Sequence, residues 1–239
     1  MRSRFALPAI TVLFSAGIAC RGTDSARAAA ANRATDAART PSVTNPATPD
    51  SLVARADGAR IQGDPSAAVW VVEVSDYQCP YCRDWHVETY PRLKREFIDS
   101  GIVRFAYVNY PLPNHPLAWP AAEAAMCAGS QGKFWPMHDA LFASQDRWVS
   151  ASDAQSVFDS LATSKGIDTS RLRDCMTRDV LRPLIQSDME RGSEAGISST
   201  PSFIVGNITI QGAQTIESFR RAIAAVRSGQ AASATPPRP

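Results

Sequence analysis

The sequence predicts an α/β fold with an all-helical insertion between the two halves of its sheet. Three observations point to it. The run Val69-Trp70-Val71-Val72-Glu73-Val74 is short, nearly continuously apolar and rich in β-branched residues, as a buried strand should be. From Leu117 to about Ala195 no strand-like run occurs, and Ala-rich and charged helical sequence fills the interval. Strand character then returns at Ser202-Phe203-Ile204-Val205, with a Gly206-Asn207 turn and Ile208-Thr209-Ile210 completing a hairpin.

The elements follow in order. Turn residues flank the first strand, Gly63-Asp64-Pro65 before it and Ser75-Asp76 after it. A helix is expected from about Pro80 to Ser100, kinked by Pro91 and ended by Gly101. Ile102 to Val108 reads as the second strand, and the three prolines in Pro111-Leu112-Pro113-Asn114-His115-Pro116 forbid regular helix. The helical insert, about 116–195, should hold about four helices, with breaks near Gly129–Gly132, Ser150–Ser152 and Gly166–Asp168. An amphipathic helix from Ile216 to Val226 closes the domain, which is expected to span 59–228.

The 239 residues suffice for one domain with extensions, and 44% are hydrophobic, enough for a core. The net charge is +2 and the basic residues are scattered, so nothing points to nucleic acid. Residues 1–19 read as a signal peptide: Arg2 and Arg4 supply positive charge, and Phe5 to Ala19 is apolar but short for a membrane span. Ala16-Gly17-Ile18-Ala19-Cys20 resembles a lipobox, in which Cys20 would be lipidated, although Gly17 stands where Leu is usual. Ordinary cleavage nearby, leaving Cys20 a spare thiol, is the alternative. Residues 20–58 carry almost no large apolar side chains and are expected to form a disordered tether, as is a tail over 229–239.

The chemistry concentrates at Cys79-Pro80-Tyr81-Cys82, where the first strand gives way to a helix. A helix N-terminus offers unpaired N–H groups and partial positive charge, and both favour a thiolate over a thiol. Pro80 suits the first helical position, where its missing N–H costs nothing. Two intervening residues bring the sulfurs within bonding reach. Cys79, at the exposed end, is the candidate attacking sulfur, and Cys82 the resolving one. A zinc site is the rival for this motif: His86 completes a C-x2-C-x3-H pattern, but no second Cys pair exists, and no metal is assigned. A structural disulfide here would staple almost nothing.

The run Val72-Glu73-Val74-Ser75-Asp76-Tyr77-Gln78-Cys79-Pro80-Tyr81-Cys82 resembles the active-site segment of DsbA-like thiol–disulfide oxidoreductases of the thioredoxin superfamily. So do Pro111-Leu112 with His115-Pro116-Leu117-Ala118, Gly132-Lys133-Phe134-Trp135 with His138-Asp139 and Leu141-Phe142, and Thr200-Pro201-Ser202-Phe203. The resemblance covers about residues 60–227. It implies a thioredoxin fold carrying a helical insertion, and thiol–disulfide exchange on exported, cysteine-containing proteins. The redox-active Cys79–Cys82 pair would be the only redox group, with no cofactor, and a membrane or soluble partner would recycle it. Dithiol oxidation is the expected direction, with reduction or isomerisation as alternatives; Tyr81 departs from the His of the best-known members. The resemblance also implies a cis Thr200-Pro201 bond facing the Cys pair, where composition alone favours trans. It places an acid, Glu73, beneath the pair, where alternation alone also allows a solvent-facing residue.

Export makes a Cys127–Cys175 disulfide the expectation, with two reduced core thiols as the alternative. His86 is expected to be a partly exposed helix residue next to Trp85; His115, His138, Trp119, Trp135 and Trp148 are assigned to structure and packing. A localisation outside the cytoplasm, with membrane contact only through a lipid anchor, follows from the leader. A non-catalytic binding module on the same fold and a metallochaperone are the rivals from other classes.

Overall fold

The computed structural model describes residues 49–229. The expected signal peptide, Cys20, the tether as far as residue 48 and the tail from residue 230 lie outside the described residues. The tether was expected to run to residue 58, but its last part is helix α1, Pro49–Ala59. Small residues explain why composition hid this helix. Ala56 is fully buried, and a Cβ placed on Gly129 would lie only 3.5 Å from Ala56 Cα, so two helices meet where neither carries a large apolar side chain.

The strands are β1 (Ile61–Gln62), β2 (Val69–Ser75), β3 (Val103–Asn109), β4 (Ser202–Val205) and β5 (Ile208–Gln211), in the order β1-β3-β2-β4-β5. β2 and β3 are parallel and the other pairs antiparallel. Glu73 lies opposite Tyr107 of β3 and Phe203 of β4. The two-residue β1 escapes a search for strand patterns because it is too short to show a period.

The long helix expected after β2 is broken into α2 (Pro80–Glu88), α3 (Tyr90–Leu93) and a π-helical turn, Lys94–Ile98. Pro91 has no N–H to continue the ladder, and the break at Thr89 is held by its hydroxyl, which donates to the Gln214 carbonyl at 3.1 Å. The insert contains six helices rather than about four: α4 (Ala118–Gly129), α5 (Phe134–Ala143), α6 (Gln145–Val149), α7 (Ala154–Ser164), α8 (Thr169–Thr177) and α9 (Arg182–Glu194). The three anticipated breaks are present. Two more fall at Ser144 and around Asp179, which adopts φ 51°. Helix α10, Ile216–Arg227, closes the domain.

Two apolar cores follow. Val71, Phe105 and Phe203 on one sheet face pack against Trp85 of α2 and Phe219 of α10, with the Trp85 and Phe203 rings 4.4 Å apart. The second core joins Tyr77, Tyr107 and the Cys pair to α4, α5, α7 and α8, and contains the Cys127–Cys175 disulfide. Trp148 packs there and donates its indole N–H to the Leu141 carbonyl at 2.8 Å, and Arg182 lies 4.6 Å over the Trp119 ring. A buried ion pair ties the segment after α1 to the helical insert: Arg60 bonds Asp188 of α9, which also accepts from the Asn109 N–H at 3.1 Å and from Asn109 Nδ2 at 3.0 Å.

Candidate redox site

Cys79 ends the loop after β2 and caps α2 with extended backbone, φ −70° and ψ 123°; Pro80 occupies the first turn. The loop is preorganised by Asp76. Its Oδ1 accepts the Gln78 N–H at 2.7 Å, its Oδ2 accepts the Leu112 N–H at 2.9 Å, and its backbone carbonyl accepts the Cys79 N–H at 3.1 Å. His115 Nδ1 lies 2.7 Å from the same Oδ2, which fixes the proline-rich loop beside the pair. From the insert, Gln145 Nε2 donates to the carbonyls of Tyr77 at 2.7 Å and Cys79 at 3.0 Å. Opposite, the Thr200-Pro201 peptide is cis, and the Cys79 thiol donates to the Thr200 carbonyl at 3.6 Å.

The two thiols are electrostatically unlike. Cys79 is lowered to about 6, mainly by the Cys82 thiol donating to it, with help from Thr200 and the N–H groups of Cys82 and Tyr81, against burial. Cys82 is fully buried and pushed well above the ordinary thiol value by burial and then by Cys79. Exposure differs less than the sequence suggested. Cys79 retains only 4%, so its exposed position is relative to Cys82 at 0%, while Tyr81 stands out at 66%.

Glu73 points into the core: it is fully buried, neither carboxylate oxygen has a hydrogen-bond partner, and burial raises it to about 8. The solvent-facing alternative is thereby excluded. Ser75, two residues on along β2, is buried with its hydroxyl unpartnered.

His86 departs from expectation. It is buried rather than partly exposed, because α5 covers it: its ring stacks on Tyr90 at 4.9 Å and on Phe142 at 4.8 Å. His138, expected to be structural, is fully buried, with Nδ1 2.9 Å from the Tyr77 hydroxyl. Three contributors escaped the sequence reading. Asp76 had a visible signal, a turn-forming Asp three residues before the first cysteine. Ser75 and Gln145 had none, since only the fold brings them to the pair.

A thioredoxin family model (Thioredoxin_4) matches residues 55–225. The chain belongs to the thioredoxin family. The "Na(+)/H(+) antiporter NhaA 3" of Salinispora tropica is 32% identical over 168 residues, which are 70% of this chain and 24% of that protein. This chain thus spans about a quarter of the antiporter's length. The "Probable disulfide bond formation protein D" of Bacillus anthracis is 28% identical over 150 residues, 61% of this chain and 69% of the relative. The crystal structure of oxidised BdbD from Bacillus subtilis superposes with a TM-score of 0.63 at 25% identity, covering 69% of this chain and 90% of that one. Within the thioredoxin superfamily the chain is DsbA-like.

Proposed function

We propose that the protein is a thiol–disulfide oxidoreductase acting on exported, cysteine-containing proteins through Cys79 and Cys82. The observation that carries this is the division of labour between one thiol held near 6 and a fully buried one held high. In the oxidising direction a substrate thiolate attacks Cys79 Sγ, the Cys79–Cys82 bond breaks, and Cys82 leaves. A second substrate thiolate then attacks the substrate sulfur of the mixed disulfide and expels the Cys79 thiolate, a good leaving group because its pKa is low. The substrate loses two electrons and the pair gains them. The pair is the only redox group the reaction needs.

Cys82 leaves as a poorly stabilised thiolate and needs a proton. Glu73, raised to about 8, is protonated at neutral pH and supplies it; in the reverse direction its carboxylate takes the proton back. The Thr200 carbonyl beside Cys79 gives an extended substrate segment a backbone partner, so recognition makes little demand on sequence. A thiolate held at about 6 rather than at 9 stabilises the reduced pair by about 1.4 kcal/mol at pH 7, which is about 30 mV towards a stronger oxidant. That favours oxidation over reduction or isomerisation. A localisation outside the cytoplasm, a lipid anchor on Cys20 and a redox partner that restores the disulfide complete the reading. No helix among the described residues is long and apolar enough to cross a membrane.

Equilibration with a glutathione gradient tests it. The wild type should cycle between dithiol and disulfide with an oxidising potential and oxidise a reduced, unfolded substrate, and Cys79→Ser should do neither. A wild-type protein that fails to cycle removes the proposal, and a strongly reducing potential reverses its direction.

A further inference from the structure

Behind the redox pair, α2 and α5 bring together His86, His138 and Asp139. One ring nitrogen of each histidine and a carboxylate oxygen of Asp139 lie within 4.8 Å of one another. His86 Nε2 is 3.4 Å from Asp139 Oδ1. His138 engages the Tyr77 hydroxyl through Nδ1 and leaves Nε2 buried with no hydrogen-bond partner. His86 Nδ1 is likewise buried and unpartnered. Two imidazoles whose polar edges are this poorly satisfied, packed edge to ring at 4.8 Å, are hard to explain as packing residues alone.

We infer that His86, His138 and Asp139 form a binding site for a borderline divalent cation of the Zn²⁺ class. Two imidazoles and one carboxylate are the donors such ions prefer, whereas Mg²⁺ and Ca²⁺ require oxygen ligands. Three protein ligands leave a fourth position for water or an incoming group. His138 Nδ1 is engaged by the Tyr77 hydroxyl at 2.9 Å, so Nε2 is the ring nitrogen left to face a cation, and the Tyr77 contact would orient the ring. Asp139 is 57% exposed at its side chain and provides the entry path. The Cys pair plays no part in this site, so it should bind metal whether the pair is open or closed.

The test uses the untagged full chain, stripped with chelator, with Cys79–Cys82 oxidised and Cys20 alkylated so that no thiol competes. Zn²⁺ is titrated by calorimetry and Co²⁺ by absorption. One site per chain is expected, with affinity falling about tenfold or more in Asp139→Asn and in His86→Gln. Asp139→Asn changes a solvent-exposed side chain and keeps the comparison valid should His86→Gln disturb the core. Absence of saturable Zn²⁺ binding, or equal affinity in wild type and Asp139→Asn, overturns the site.

Discussion

Glu73→Gln should stabilise the protein, increasingly so as pH rises. The native chain holds the Glu73 proton up to about 8, while the unfolded chain releases it near the ordinary value of 4.5. A raised folded pKa means that stability is complete below the unfolded value and is lost as pH climbs through the folded one. Each pH unit in that window removes about 1.4 kcal/mol, so the native state has lost about 3 kcal/mol by pH 7 and about 5 kcal/mol above pH 8. Gln carries no proton to lose and escapes this penalty. Denaturant unfolding of reduced wild type and variant at about pH 5, 7 and 9 should give a gain below about 1 kcal/mol at the first and the full gain at the last. A gain independent of pH, or a variant less stable than wild type at pH 9, would refute a buried, proton-holding Glu73. The same variant should slow release of Cys82 from a mixed disulfide, because the proton donor is gone.

Other perturbations read other parts of the molecule. Alkylation of reduced protein should label Cys79 with a pH profile centred near 6 and leave Cys82 unmodified; equal rates would contradict the split in roles. Because the Cys79 pKa is depressed, the extra stability of the reduced form is present above the unfolded thiol value and lost as pH falls through about 6, which chemical unfolding across that range will show. Asp188→Asn removes the buried carboxylate that pairs with Arg60 and Arg191, leaves Arg60 only the half-exposed Asp57, and should cost up to about 3 kcal/mol in denaturant unfolding. Paired Cys127→Ala and Cys175→Ala substitutions free a loop of 48 residues and should cost up to about 4 kcal/mol, seen as a lower Tm; an unchanged Tm would deny the disulfide a stabilising role. Gln145→Ala strips a donor from two buried carbonyls and should cost about 1–3 kcal/mol while shifting the Cys79 alkylation profile.

Elements with a strong periodic or punctuated pattern were legible in the sequence. β2, β3 and the β4–β5 hairpin fall within a residue or so of the expected spans, because β-branched runs bounded by turn residues leave little choice. The Cys pair at a helix start was legible for the same reason. What escaped depends on tertiary contact. α1 is stabilised by small residues packing on α4, which composition reads as low hydrophobicity. His86 looks amphipathic on its own helix and is buried only because α5, more than fifty residues later in the chain, lies over it. Gln145 reads as one polar residue among many, yet its amide spans two carbonyls of the redox loop.

In the proposed reaction the asymmetry of the two thiols also decides which sulfur meets the substrate. Exchange needs a good leaving group on the enzyme side of the mixed disulfide and a poor one inside it. Were the substrate joined to Cys82, the bond would form in the fully buried position and release would expel the more basic sulfur, which is slow. Joined to Cys79, the substrate stays at the margin formed by Tyr81 and the Thr200 carbonyl, and the expelled sulfur is the stabilised one. The partial positive charge at the start of α2 acts most strongly on the residue that caps it, which favours Cys79 for the outer role. Cys82, one turn inside and fully buried, is left in the proposed cycle to close the ring.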